Sequence, residues 1–100
     1  MSNRYSVQSG SLYDGSVREL KNLTGWDVRI QASGTGSCKV VGKLTANGEA
    51  KVLSLVRMSD FAVVDTITDN EIYATDASGL YSISASNTSG FTNVFAIILA

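Results

Sequence analysis

Apolar and polar residues alternate one by one through several short stretches of this chain, and clusters of glycine, serine, asparagine and aspartate interrupt them. Successive side chains of an extended strand point to opposite faces, so the pattern specifies strands with one buried face. No long stretch carries the competing period of a helix. The clearest case is Trp26 to Ala32, where Trp26, Val28, Ile30 and Ala32 share the face expected to meet the core, while Asp27, Arg29 and Gln31 share the other. Alternation resumes from Cys38 to Leu44 after Ser33-Gly34-Thr35-Gly36-Ser37, and the two stretches are expected to form a hairpin. A second turn is expected at Ala46-Asn47-Gly48-Glu49, where the Asn-Gly pair favours type I′ geometry, with Lys51 to Met58 as the return strand.

Further strands are expected at Arg4 to Gln8, Phe61 to Ile67, Ile72 to Ala74, Leu80 to Ser86 and Thr92 to Leu99. Turns are expected at Asp76-Ala77-Ser78-Gly79 and Asn87-Thr88-Ser89-Gly90. Ser16 to Leu23, with Val17 and Leu20 three apart, reads as a strand or an irregular crossover. Seven or eight strands result, which predicts an all-β fold: a single antiparallel β-sandwich, jelly-roll or immunoglobulin-like. Trp26 to Leu44 and Leu80 to Leu99 both read as strand, small-residue loop, strand, a likeness that any two hairpins share.

Composition narrows the function. One hundred residues make one domain, and 44% hydrophobic residues are enough to fill its core. The chain has no histidine, the commonest general base, and the lone Cys38 rules out both an intrachain disulfide and a cysteine metal cage. Serine is abundant, but it lies in turns and on alternating strand positions, and no Gly-x-Ser-x-Gly elbow is present. An enzyme is therefore not expected. The polar opening residues and the absence of a long apolar run predict neither a secretory signal nor a membrane span, and one free thiol suits synthesis in a reducing cytoplasm.

A net charge of −1 argues against nucleic acid and anionic membrane as partners, yet it hides a segregated chain. Residues 1–59 hold all eight basic residues and the acids Asp14, Glu19, Asp27 and Glu49; residues 60–76 hold five acids and no base; residues 77–100 hold no charge. The two signs either pair inside one subunit or meet between identical subunits or on a larger assembly. Asp65, Asp69 and Glu71 of the acidic stretch are a candidate calcium site, although Ile67 interrupts them and the EF-hand progression is missing. Two of these acids would serve as a glycosidase pair only in a deep cleft, which a sandwich of this size seldom provides. The apolar run Val94 to Ala100 carries no charged gatekeeper, so it belongs in the middle of a sheet or under a neighbouring subunit. Serine-, threonine- and asparagine-rich loops also suit sugar binding, with Trp26 as the stacking ring if it lies on the surface instead of in the core.

Gly25-Trp26-Asp27-Val28-Arg29-Ile30 with its Ser33-Gly34-Thr35-Gly36 loop, Ala77-Ser78-Gly79-Leu80-Tyr81-Ser82-Ile83, and Ser89-Gly90-Phe91-Thr92-Asn93-Val94 together resemble small β-sandwich structural proteins of tailed bacteriophages. These include capsid decoration (cement) proteins and the sandwich modules of head fibres and tails. The resemblance covers residues 25–99 and brings no catalytic motif. It implies a virion location on the capsid surface, self-association (often as trimers) and contacts to the major capsid protein. Residues 1–24 lie outside it, as an N-terminal strand or an extended arm reaching a neighbour, with residues 25–100 as the sandwich core. On this reading the subunit or capsid contacts fall at Arg4, Tyr5, Leu12 and Tyr13 of the arm and at Asp60, Asp65 and Asp69 of the acidic stretch. The alternative is a carbohydrate-binding or adhesin module of a tail fibre or head appendage. No cofactor is implied.

Overall fold

A computed structural model of the chain describes residues 6–99, so the expectations placed on Arg4 and Tyr5 lie outside the described residues. Those described form eight antiparallel strands and no helix: β1 (Ser6–Tyr13), β2 (Glu19–Lys21), β3 (Asp27–Lys43), β4 (Lys51–Val52), β5 (Leu55–Arg57), β6 (Val63–Val64), β7 (Tyr73–Asp76) and β8 (Ser82–Leu99). All belong to one sheet in the order β1-β8-β3-β7-β5-β6, with β2 also paired to β8 and β4 to β3. The fold is all-β and antiparallel, as the alternation predicts. The sandwich-like form comes from bending one continuous, unclosed sheet, where two separate sheets were expected.

The bend lies where hairpin turns were expected. Ser33 to Ser37 and Asn87 to Gly90 do not reverse the chain; β3 and β8 run straight through them and pair with each other from Asp27↔Leu99 to Lys43↔Ser82. Register shifts at Ser33/Gly34, Gly34/Ser37 and Ser37/Lys39 mark bulges, which kink a strand and increase its twist. The two repeat-like segments are thus one pair of long partners whose glycine-rich middles lie against each other. Gly36 is required there: a Cβ on it would overlap the carbonyl oxygen of Ser89 and lie 2.6 Å from the backbone nitrogen of Phe91. Gly90, at φ +85°, would meet the Thr35 carbonyl in the same way.

Beyond the bulges the long strands take different neighbours. The half formed by residues 27–34 and 91–99 is flanked by β1 and β7, and the half formed by residues 37–43 and 82–89 by β2 and β4. Their inner faces supply one core: Val28, Ile30, Ala32, Val94, Ala96 and Ile98 from the first half, with Cys38, Val40, Ile83 and Ala85 from the second. Val94 to Leu99 lies between β1 and β3, so the uncharged run occupies the interior of the sheet. Leu55, Ile67 and Tyr73 fill the core from the side of β5–β7. β7 joins that side to the first half of β3, and the bridge of Cys38 with Ile67, through hydrogen bonds of 3.0 and 2.8 Å, joins it to the second.

Several local expectations are corrected. Residues 6–21 are not a projecting arm, because β1 pairs along β8 and β2 caps the other end of the same strand. The turn at residues 45–48 closes through Gly48 N to Thr45 O at 3.0 Å, with neither Asn47 nor Gly48 at positive φ, so it is not type I′. Its return strand is split into β4 and β5. Trp26 precedes β3 and is 48% exposed, whereas Val28, Ile30 and Ala32 keep the core face.

Gly36→Ala is expected to lower stability by roughly 2–4 kcal/mol, because the β8 backbone at Ser89 and Phe91 cannot yield. Gly79→Ala is the comparison: at φ +78° with nothing within 4 Å of its Cβ, it carries only conformational strain, about 1–2 kcal/mol. Urea unfolding of the two variants measures both, and equal losses would show that strand contact at Gly36 is not limiting.

Candidate functional site

The acidic stretch folds back against the basic part of the chain. Arg57, the last residue of β5, grips Asp60 with a two-pronged fork (Nε to Oδ1 and Nη2 to Oδ2, both 3.1 Å) and reaches Asp69 Oδ2 through Nη1 at 3.1 Å. Asp69 Oδ1 accepts hydrogen bonds from the Tyr73 hydroxyl at 2.7 Å and the Glu71 backbone at 3.1 Å. Lys39 donates to Thr66 Oγ1 at 2.9 Å and lies 3.4 Å from Asp65, to which Thr66 also donates. Asp76 accepts from the Ser78 backbone at 2.8 Å. Of the two arrangements open to the segregated charges, the structure shows pairing within one subunit.

This reassigns the candidate residues. Asp60, Asp65 and Asp69 hold their own chain together, while the Asp60 and Asp65 side chains stay more than half exposed. Leu12 is fully buried in the core and cannot present a side chain to a neighbour, while Tyr13 is half-buried against the core edge. Asp65, Asp69 and Glu71 do not converge on a calcium site; no group of three or more potential metal ligands occurs among the described residues. Asp65 is turned to Lys39 and Asp69 to Arg57 and Tyr73, which separates them.

Electrostatics follow from this network. Asp60 is held below the ordinary carboxyl range first by the Arg57 hydrogen bonds and then by the Ala62 backbone, and Asp65 by Thr66 and Lys39. At Asp69 burial pushes the carboxyl up, but donors from Tyr73, Glu71 and Arg57 outweigh it and the net shift is downward. The Tyr73 hydroxyl is raised by burial and by its bond to Asp69. The Cys38 thiol, buried between the halves of the sheet, is pushed up to about 11 by desolvation. A protonated, enclosed thiol is no nucleophile, and Cys38 is expected to ignore an aromatic disulfide reagent until the protein unfolds. Prompt labelling of the native protein would contradict that placement.

The Arg57 fork also sets an unusual turn between β5 and β6. Arg57 N donates to Ala62 O at 2.9 Å, Phe61 N donates to Arg57 O at 2.7 Å, and Asp60 accepts from Ala62 N at 3.1 Å. Phe61 is thereby held at φ +60° and is 71% exposed. A bulky residue in the left-handed region is a true outlier, and such strain persists only where the surroundings over-determine it. Sequence reading missed Phe61; the signal available was an aromatic residue directly after Ser59-Asp60, where a turn invites glycine or asparagine.

Next to this turn lies the outer face of the sheet. Register aligns Val63, Val56, Ala74, Arg29 and Ile97 across five strands, with Gln31 opposite Phe95 two residues along β3. Val63 is 70% exposed, and Ile72 and Phe95 are nearly half exposed. Between Ile72 and Phe95 a hollow of about 180 Å³ is lined by these two with Arg29, Ile30, Gln31 and Ile97. A second, wider depression of about 600 Å³ beside β6 is lined by Ser54, Val63, Val64, Asp65, Thr66 and Thr68, whose one carboxylate is already paired with Lys39. The larger depression has hydroxyl groups without a charged set aimed into it; the smaller is an apolar surface suited to packing.

No protein-family model matches the chain, and no curated protein matches it in sequence. Among solved structures, the crystal structure of SPBc2 prophage-derived protein YomS shares the fold, with a TM-score of 0.81 at 18% identity, over 100% of this chain and 97% of that one. The fold described above is therefore also that of a prophage-derived protein.

The depressed aspartates give a signed pH dependence. They are more acidic folded than unfolded, so their pairing stabilises the protein above the ordinary aspartate value of about 4 and is lost as pH falls through the folded values. Urea midpoints are expected to hold steady from pH 7 to 5 and to fall below about pH 4. Asp69→Asn should start lower and fall less steeply; a variant with the wild-type slope would remove Asp69 from the linkage.

Proposed function

We propose that this chain is a non-enzymatic structural protein of a phage particle, and specifically a capsid decoration protein that binds the major capsid protein and its own copies on the head surface. The observation that carries the reading is the whole-length fold likeness to a prophage-derived protein, joined to a surface whose most prominent feature is apolar area. Adhesion to a shell needs area and shape, and the outer face with Phe61, Val63, Ile72 and Phe95 provides both in a rigid sheet. Exposed apolar patches of this kind mark interaction surfaces. On this reading the protein is made in the host cytoplasm, acts on the virion, and uses neither nucleic acid nor membrane.

One observation favours a second reading, a carbohydrate-binding or adhesin module. Trp26 is half exposed instead of lying in the core, and an indole at the surface is the kind of group that stacks on a sugar. It is the only tryptophan, so its fluorescence reports on that site alone.

Quantitative mass spectrometry of purified particles separates the two. Hundreds of copies of the chain per head are expected for decoration. A handful of copies confined to the tail, together with a Trp26 fluorescence change on adding host polysaccharide, would replace it with the adhesin reading, and absence from particles would overturn both.

A further inference from the structure

The Phe61 ring and the outer-face hollow are complementary features of one molecule. The hollow of about 180 Å³ is large enough for a phenyl group, since an apolar cavity of about 150 Å³ accommodates benzene. The ring is among the most exposed large apolar groups described, and it cannot retreat: hydrogen bonds on both sides of Phe61 and the Arg57–Asp60 fork fix the turn. A rigid aromatic group costs little entropy to dock, and such groups anchor interfaces when they enter a desolvated pocket.

The surroundings have matching signs. Asp60 stands next to the ring, and Arg29 lines the hollow, with Gln31 beside it as a neutral donor and acceptor. Asp60 uses Oδ2 for one hydrogen bond, and Arg29 engages Asp27 through Nη1, so each keeps capacity for a further partner. Val63, Val56 and Ala74 extend the apolar surface from the turn toward the hollow. Met58 N donates to Ile72 O at 2.8 Å, which ties the turn carrying the ring to the wall of the hollow in one rigid unit.

We infer that a second copy of this chain inserts Phe61 into the hollow between Ile72 and Phe95, with Asp60 of one copy facing Arg29 of the other. The inference rests on the self-association included in the proposed function and names the surface responsible for it. It also accounts for the strained turn, because the strain holds an aromatic anchor outside the fold.

Analytical ultracentrifugation of the full chain tests this over about 1 µM to 1 mM, the range of weak association. Wild type is expected to gain mass with concentration. Phe61→Gly should weaken association at least about tenfold, as for an interface anchor. It should also leave the monomer as stable as wild type or more so, because glycine accepts φ +60° without strain. Ile72→Arg, at a half-exposed position, should fill the hollow and abolish association while sparing the fold. The Phe61→Gly variant retains the hollow and the Ile72→Arg variant retains the ring, so a one-to-one mixture should associate more tightly than either does alone. A wild type that stays monomeric throughout overturns the inference, as do variants that associate like wild type; the latter result would leave self-association standing through another surface. Location in the particle is read separately, so failure of the phage reading and failure of this contact are distinguishable.

Discussion

At the crossing of β3 and β8 two backbones approach so closely that no side chain fits between them, and Gly36 and Gly90 occupy that point. The two long strands are thereby able to bend together while staying paired along their length. Everything else attaches to this pair. β1 and β2 take the outer edge of β8, and β7 and β4 the outer edge of β3, one strand on each side of the bend. A single core can form because the bend turns the inner faces of both halves toward each other, and Cys38 and Val40 join Val28, Ile30 and Ile98 in one apolar cluster. The uncharged run of β8 is covered on both edges by strands of its own chain, which removes the aggregation hazard that an exposed edge would present.

A second constraint is electrostatic. Burying Leu55, Ile67 and Tyr73 brings the acidic stretch alongside β3 and β5, and Lys39 and Arg57 meet it there. The ion pairs are mostly exposed and individually weak, so their consequence is geometric more than energetic. They set the β5–β6 turn and fasten the segment after β6 to Tyr73. Asn70 adds to this by donating to the carbonyls of Ala32 and Gly34 at 2.8 and 2.9 Å, satisfying backbone groups freed at the bulge. Opposite charges that are far apart in sequence thus become internal fastenings, and the outer face beside them is largely apolar.

Much of this is legible in the residues. Alternation locates the strand segments because the two-residue period belongs to the strand itself, whatever it pairs with: Val28, Ile30, Ala32, Val40, Ile83 and Ala85 all face the core. Ser33 to Ser37 and Asn87 to Gly90 read as turns but are bulges, because small flexible residues serve a hairpin loop and a bulge equally well. The partner strand decides between them. Trp26 reads as a core residue only when the alternation is extended one residue beyond the strand, where the period no longer applies. Leu12 reads as part of a projecting arm, yet it packs in the core because the pairing of β1 with β8 places it there.

The sequence by itself determined an all-β antiparallel domain, the faces of its strands and the separation of its charges, since each depends on neighbouring residues or on counting. Only the tertiary structure decided that one bent sheet encloses the core, that the charges pair within the chain, and that Phe61 stands strained beside an open hollow. Those features depend on contacts between residues distant in the chain, such as Gly36 with Ser89, Lys39 with Asp65 and Met58 with Ile72. Local pattern carries no information about which distant segment arrives opposite, and that is the physical reason the surface proposed for function was invisible until the chain was folded.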